Sequence, residues 1–167
     1  MNIVIVGLMG VGKSTVGKEL SERINSKFYD TDKEIEKETE KSITEIFELS
    51  GEKYFRKKEV EILSKVIKEK AIIATGGGII ENNQNYELLN SHKYVIFLDA
   101  SVNTILEHLS KDKQNRPLLS KSNNIESTIK HLMNKRVYKY KEVSDIIINV
   151  DNKDVDEVVS EILVYIG

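Results

Sequence analysis

One glycine-rich segment near the start of the chain constrains its fold more than any other feature. A β-branched run at residues 3–6 comes directly before this segment. After it, Val16, Leu20 and Ile24 recur every four residues, which is the spacing of one buried helix face. The segment reads Gly7-Leu8-Met9-Gly10-Val11-Gly12-Lys13-Ser14-Thr15 and matches G-x-x-x-x-G-K-[ST] in full. Because this motif needs a strand before it and a helix after it, the sequence predicts an α/β fold built around a P-loop.

The residues of this loop suit the binding of a nucleoside triphosphate. Glycines let several backbone N–H groups surround a phosphate, and the helix that follows adds the partial positive charge of its N-terminus. Lys13 can reach the β and γ phosphates, and the Ser14 hydroxyl can bind Mg²⁺. The predicted nucleotide contacts in the loop are Gly10, Val11, Gly12, Lys13, Ser14 and Thr15.

Further short apolar runs alternate with longer helical patterns along the remaining chain. These runs lie at residues 27–29, 71–74, 94–98 and 146–150. The alternation is typical of βαβ units, so we expect a five-stranded parallel sheet flanked by helices. With 167 residues and no internal repeat or linker composition, the chain is expected to form a single domain.

Composition excludes several kinds of site. The chain has no cysteine and three histidines, which rules out a disulfide scaffold, a thiolate metal site and a cysteine nucleophile, and argues against a histidine metal site. With 25 basic and 27 acidic residues, it has no overall charge that would attract nucleic acid or an anionic membrane. The apolar run at residues 3–6 is far shorter than the core of a signal peptide. We therefore expect a cytoplasmic protein with no nucleic-acid or membrane partner.

A P-loop occurs in regulatory GTPases as well as in enzymes that phosphorylate small molecules. No glycine of the chain has an aspartate three residues before it, so the D-x-x-G motif of the GTPases is absent. Residues 152–155 resemble the guanine-reading motif N-K-x-D, but Val155 stands where that motif requires aspartate. The sequence therefore favours a small-molecule kinase over a guanine-specific regulator.

Two carboxylates, Asp30 and Asp32, follow the second predicted strand. One interpretation is helix capping, since Thr31 and Glu34 fit the S/T-x-x-E capping box and Asp32 could also cap. The other is a ligand site, because open α/β sheets bind ligands at the carboxyl ends of their strands. The residues alone do not decide between the two.

Three consecutive glycines, Gly76-Gly77-Gly78, end the third predicted strand at the same edge of the sheet. They indicate either close approach of the backbone to a bound ligand or a simple tight turn.

Arginine is scarce in this chain, with four arginines against 21 lysines. A planar guanidinium pairs bidentately with a carboxylate or phosphate, whereas lysine offers a point charge. Arg56 follows Phe55 at the predicted start of a helix that ends near residue 67, and Arg136 lies on the Tyr140 side of its helix. Arg116 lies in a polar segment. Three of the four arginines thus stand in settings that suggest anion recognition.

The polar segment at residues 110–124 lies between two helical patterns and contains the only proline, Pro117. Composition alone favours a solvated connection between the helices. A mobile lid is the alternative, because kinases commonly close such a segment over bound substrates to exclude water.

In this order and at this chain length, the motifs resemble shikimate kinase over essentially the whole sequence. The motifs are the P-loop, Asp30-Thr31-Asp32, Phe55-Arg56, Gly76-Gly77-Gly78, Arg116-Pro117-Leu118-Leu119 and Arg136-x-x-x-Tyr140. The resemblance implies an α/β P-loop fold of the nucleoside monophosphate kinase type, with a substrate-binding segment at about residues 31–60 and a lid at about 110–124. It also implies transfer of the γ-phosphoryl group of ATP to the 3-hydroxyl of shikimate, a step toward the aromatic amino acids.

The resemblance assigns catalytic and metal-binding roles by motif position. Lys13, Asp32 and Arg116 form the implied catalytic set. Asp32 would bind the substrate hydroxyls, including the one that attacks, and Arg116 would meet the phosphates of ATP from the lid. Asp30 would act near Mg²⁺ through water, together with Ser14.

The resemblance also implies how the substrate carboxylate is held. Arg56 and Arg136 would bind it, with the backbone of Gly77 and Gly78 contributing. One departure concerns adenine: family members commonly carry an arginine seven residues before the lid arginine, where this chain has Leu109.

Two alternatives to a shikimate kinase remain at this point. A gluconate kinase of the same fold would also take a carboxylate with hydroxyls, but the motifs around Arg56 and Arg136 argue against it. A nucleotide-binding regulator without an acceptor is disfavoured by Asp32 beside the P-loop. We expect the protein to act as a monomer on ATP and shikimate.

Overall fold

A five-stranded parallel sheet forms the centre of the molecule, with the strand order β2-β3-β1-β4-β5. The computed structural model describes residues 1–112 and 124–167. The strands are β1 (Ile3–Val6), β2 (Lys27–Asp30), β3 (Ala71–Ala74), β4 (Val95–Asp99) and β5 (Ile146–Asn149). The predicted parallel sheet is confirmed, and the predicted bounds of β1 and β3 match residue for residue.

The predicted bounds of the other three strands shift by one residue. The fourth strand starts at Val95, because Tyr94 has a φ of 65°, in the left-handed region that a strand cannot include. The second strand extends to Asp30, and the fifth ends at Asn149.

Helices flank the sheet and connect its strands. They are α1 (Lys13–Arg23), α2 (Thr31–Thr39), α3 (Ile43–Val66), α4 (Asn83–Asn90), α5 (Val102–Lys111), α6 (Ile125–Val143) and α7 (Val155–Ile166), with a 3₁₀ helix at Ile79–Glu81. Helix α1 packs against β3 and α7, whereas α6 packs against β4, α4 and α5. All residues of β1 and β3 are buried, as expected for central strands of a parallel sheet covered by helices.

Helix α3 begins earlier than predicted. Ser42 and Glu45 form a capping box that starts the helix at Ile43, not at Phe55. Inside it, Gly51 has φ 83° and ψ 168°, which interrupts the helical geometry. Phe55 and Arg56 therefore follow a break within a longer helix, and the prediction that they open a helix is wrong.

The strand order brings three chemically important segments to one edge of the sheet. The P-loop follows β1, Asp30 ends β2, and the glycine run begins two residues after β3. Because β2, β3 and β1 are neighbours and parallel, their carboxyl ends lie side by side.

Across residues 1–112 and 124–167, no helix has the length and apolar character needed to cross a membrane.

Candidate active site

The carboxyl ends of these three strands open into a cleft of about 1180 Å³. Every predicted site residue that the structure describes lines it. These residues are Gly10, Val11, Gly12, Lys13, Ser14, Thr15, Asp30, Asp32, Arg56, Gly77, Gly78 and Arg136. The fold thus gathers in one cleft groups that are more than 120 residues apart along the chain, from Gly10 to Arg136. Residues 113–123 lie outside the part that the structure describes, and with them Arg116 and most of the predicted lid.

The P-loop has the backbone that its glycines permit. Gly10 and Gly12 have φ angles of 79° and 104°, in the region that side chains rarely adopt. Helix α1 starts at Lys13, so its free N–H groups point toward the loop. The buried Lys13 ammonium donates hydrogen bonds to the carbonyls of Gly7 at 2.7 Å and Leu8 at 2.9 Å. The loop therefore holds its lysine with its own carbonyl oxygens.

Asp30, not Thr31, caps helix α2. Its Oδ1 accepts hydrogen bonds from the backbone N–H of Asp32 at 3.0 Å and of Lys33 at 3.2 Å. The buried Thr31 hydroxyl instead accepts a hydrogen bond from the Gly76 N–H at 3.0 Å. Helix capping thus occurs at this point, but through Asp30; the interpretation in which Thr31 caps is wrong, because the Thr31 hydroxyl oxygen accepts the hydrogen bond from Gly76.

The second oxygen of Asp30 meets the P-loop. Ser14 Oγ donates a hydrogen bond to Asp30 Oδ2. A hydroxyl and a carboxylate in contact at the end of a P-loop are the oxygen donors that Mg²⁺ takes together with substrate phosphates. These two residues therefore fit the implied ion. Over residues 1–112 and 124–167, no three acidic or histidine side chains gather into a metal site made by the protein alone.

Gly76 lies between two carboxylates. A Cβ at this position would come within 2.7 Å of Asp32 Oδ1 and 2.9 Å of Glu59 Oε1. A side chain at position 76 would therefore push both carboxylates aside, so this position needs glycine to accommodate Asp32 and Glu59.

Glu59 carries an unusual charge environment. The residue is fully buried, and its Oε2 accepts a hydrogen bond from Arg56 Nη1 at 2.7 Å. Burial is the largest influence and, helped by the negative charge of Asp32, raises the pKa of Glu59 to about 7, although Arg56 opposes this. Glu59 thus changes charge near neutral pH.

Two guanidiniums form the opposite part of the cleft wall, and we call Arg56 and Arg136 the arginine pair. Arg136 is 1% exposed, which confirms its predicted place on the inner side of its helix. A Cβ at Gly78 would lie 2.3 Å from Arg56 Nη1, and one at Gly77 would lie 3.6 Å from Arg136 Nη1. Tyr140, buried against Phe97, donates a hydrogen bond to the Gly77 carbonyl. The glycines therefore allow the backbone and the arginine pair to approach closely.

The sequence reasoning missed three acidic residues that contact the arginine pair, which are Glu52, Glu59 and Glu81. Glu59 follows Arg56 by three residues on one helix, and this i,i+3 spacing is a signal that could have found it. Glu81 Oε1 accepts a hydrogen bond from Arg136 Nε at 3.2 Å, but these residues are separated by 55 positions and no motif links them. Long-range contacts of this kind need the fold.

Leu109 stands where the family resemblance leads us to expect an arginine near adenine, and it packs against the P-loop. A Cβ at Gly10 would lie 2.9 Å from Leu109 Cγ, and His108 Nδ1 is 2.7 Å from the Gly10 carbonyl oxygen. The aliphatic residue at 109 thus serves packing against the loop.

The molecule combines a parallel sheet and a P-loop with a cleft that also contains carboxylates and an arginine pair. These features together define a P-loop kinase that acts on a small acceptor. A model of the family described as Shikimate kinase matches residues 9–166. The chain belongs to the shikimate kinase family.

Individual relatives agree with this assignment. A shikimate kinase from Lactococcus lactis subsp. lactis (strain IL1403) is 44% identical over 97% of this chain and 96% of its own. One from Sulfurihydrogenibium sp. (strain YO3AOP1) is 43% identical over 99% of this chain and 97% of its own. The solved structure of a shikimate kinase from Acinetobacter baumannii in complex with shikimate has a TM-score of 0.93 at 38% identity, covering 99% of this chain and 92% of that chain. The family resemblance and the kinase fold are thereby confirmed.

The gluconate kinase alternative shares the fold alone. A gluconokinase from Sinorhizobium meliloti 1021 has a TM-score of 0.57 at 18% identity, covering 98% of this chain. This likeness is much weaker than that to the shikimate kinases, and it carries no argument about substrate.

Proposed function

We propose that this chain transfers the γ-phosphoryl group of ATP to the 3-hydroxyl of shikimate, and that separate groups of cleft residues bind the phosphates and the acceptor. The observation that carries the proposal is the environment of the Arg136 side chain. Its guanidinium is almost fully buried, lines the cleft, and has no hydrogen-bond partner for Nη1 among the described residues. A buried guanidinium edge of this kind is suited to a carboxylate that arrives with the substrate.

The P-loop would bind the phosphates of ATP. Its backbone N–H groups and the start of α1 provide the anion site, and Lys13 would exchange the carbonyls of Gly7 and Leu8 for the β and γ phosphates. We assign nucleotide contacts to Gly10 through Thr15 on this basis. The positive charge of Lys13 would then oppose the negative charge that accumulates on the transferring group.

Ser14 and Asp30 would hold Mg²⁺, Ser14 by its hydroxyl and Asp30 through water. When bound, the ion neutralises negative charge on the phosphates. Asp30 is well suited because its other oxygen is fixed by the backbone of α2, so the carboxylate cannot turn freely.

Asp32 would bind the acceptor hydroxyls. It stands in the first turn of α2 beside Gly76, on the cleft wall between the P-loop and the arginine pair. A carboxylate there can orient the attacking hydroxyl and accept its proton as the new O–P bond forms. Arg56 and Arg136 would hold the carboxylate at the other end of the substrate, close to the backbone of Gly77 and Gly78.

Several expectations rest on the sequence and the family. The role of Arg116 at the transferring phosphate and the lid at about residues 110–124 are of this kind, as are the substrate-binding segment at about residues 31–60, the monomeric state and the cytoplasmic location. The whole chain would act as one kinase domain.

A coupled assay of ADP release tests the proposed function. We expect ADP release with ATP, Mg²⁺ and shikimate, and negligible release with gluconate or with no acceptor. Lys13→Ala provides a control for contaminating kinases, since it should remove the shikimate-dependent signal. Equal ADP release with gluconate, or without any acceptor, would overturn the assignment.

A further inference from the structure

A third acidic residue, Glu81, stands behind the arginine pair and not on the cleft wall. It ends the 3₁₀ helix that follows the glycine run, and its side chain is 17% exposed. Its Oε1 lies 3.2 Å from Arg136 Nε and 2.8 Å from Lys135 Nζ, whereas its Oε2 lies 3.7 Å from Arg56 Nη2. One carboxylate therefore faces both guanidiniums, one oxygen toward each.

This arrangement determines which edge of each guanidinium is available. Glu81 occupies the Nε atom of Arg136, so Nη1, which has no partner among the described residues, is left toward Gly77 and the cleft. On Arg56, Nη1 is held by Glu59 at 2.7 Å, and Nη2 by Glu52 at 3.2 Å with Glu81 farther away. These acidic partners thus set the orientation of both guanidiniums.

Charge gives Glu81 a second effect. Two guanidiniums that approach the same ligand repel each other, and Arg56 and Arg136 stand on α3 and α6, which are not consecutive in the chain. Burial alone would raise the pKa of Glu81, but the hydrogen bond from Lys135 and the charge of Arg136 outweigh it and lower the pKa to about 2. Glu81 therefore keeps its negative charge across the neutral range and attracts both arginines.

We propose that Glu81 is a positioning residue that sets the spacing and orientation of Arg56 and Arg136 for the carboxylate of the acceptor. The proposal rests on the proposed function, in which this pair binds shikimate. Glu81 differs from Glu59, whose ion pair among the described residues is with Arg56 and which lines the cleft itself. Among residues 1–112 and 124–167, the ion pairs of Glu81 are with Arg56, Lys135 and Arg136, none of which belongs to the P-loop, so its effect should be confined to acceptor binding.

Steady-state kinetics of Glu81→Gln test this assignment. Glutamine preserves the size and one acceptor oxygen but removes the charge. We expect the KM for shikimate to rise about tenfold, as for loss of a charge-assisted hydrogen bond, with kcat and the KM for ATP within about twofold of the wild type. A purely structural defect would lower the active fraction and kcat and would not separate the two KM values.

Glu52→Gln is the matched control. Glu52 also pairs with Arg56, but its side chain is 51% exposed and does not contact Arg136. The KM of the Glu52→Gln variant for shikimate should therefore stay within about twofold of the wild type. If Glu81→Gln does not fold, Glu81→Asp serves instead: it retains the charge but draws it back by one methylene, and the same rise in the shikimate KM is expected.

The outcomes separate this proposal from the proposed function. Wild-type activity that does not depend on shikimate overturns the function and this assignment with it. Shikimate-dependent activity with an unchanged shikimate KM in the Glu81 variant overturns this assignment alone. A fall in that KM also overturns it, because Glu81 would then compete with the substrate carboxylate for the arginines.

Discussion

Replacing Glu59 with glutamine should change how the stability of the protein depends on pH. Glu59 is fully buried between Arg56 and Asp32, and burial with the charge of Asp32 raises its pKa from the ordinary value of 4.5 to about 7. Between these two values the folded protein holds a proton that the unfolded chain releases. Stability from this group is therefore fully present below pH 4.5 and is lost as the pH rises through 7.

The two pKa values determine the size of the effect. At about 1.36 kcal/mol for each unit of pKa difference, the total loss is roughly 3 kcal/mol. Integrated between pH 5 and pH 8, the loss is roughly 2 to 3 kcal/mol, a large part of the stability of an ordinary domain. Glutamine at position 59 cannot titrate, so the variant should lack this component.

Urea unfolding of the ligand-free proteins at several pH values between 5 and 8 measures it. The quantity of interest is the difference in unfolding free energy between wild type and Glu59→Gln at each pH, because groups common to both proteins cancel. We expect this difference to shift by roughly 2 to 3 kcal/mol against the wild type from pH 5 to pH 8. Glu52→Gln removes an exposed partner of the same arginine, at 3.2 Å, and controls for loss of an ion pair. Parallel stability curves for wild type and Glu59→Gln would refute a raised pKa at Glu59.

Three substitutions test the assigned roles in the cleft. Lys13→Ala should abolish phosphoryl transfer with an unchanged circular dichroism spectrum, because the lysine supplies charge at the phosphates; retention of most activity would contradict the P-loop assignment. Asp32→Asn should lower kcat by about 10²-fold while calorimetry finds shikimate bound with similar affinity, and a near-normal kcat would restrict Asp32 to a structural role beside Gly76. Arg136→Lys should raise the KM for shikimate about tenfold, because one ammonium replaces a planar guanidinium. If shikimate affinity were unchanged, the carboxylate would have to bind elsewhere.

The sheet was predictable because its strands have strong local signals. The runs at Ile3–Val6 and Ala71–Ala74 are apolar throughout and end at polar or glycine-rich segments, so burial on both faces was visible in the residues themselves. Strand ends were less predictable, since the start of β4 depends on the left-handed backbone of Tyr94. Helix α3 was predicted too short, because Gly51 interrupts its pattern and the capping box at Ser42 starts a turn that the apolar spacing does not reveal.

The site was predictable where the chemistry is local and unpredictable where it depends on partners. The P-loop is one contiguous motif, and the scarcity of arginine drew attention to Arg56 and Arg136. Thr31, by contrast, fits a capping box in sequence but bonds to Gly76 in space. Glu81 is one of many acidic residues, and its position beside both guanidiniums arises from packing between α3, α6 and the 3₁₀ helix after the glycine run.

The glycine run has a consequence for how variation could enter this enzyme. At Gly77 an added methyl group would lie 3.0 Å from the Met9 backbone nitrogen, so the backbone of the P-loop would have to shift to make room. At Gly78 it would meet the end of the Arg56 side chain at 2.3 Å, which can swing away at the expense of its hold on an anion. In a growth selection both positions would return glycine, but for different reasons. Substitutions at 77 would be lost because the nucleotide loop is distorted, whereas substitutions at 78 would leave an intact protein that no longer grips its acceptor.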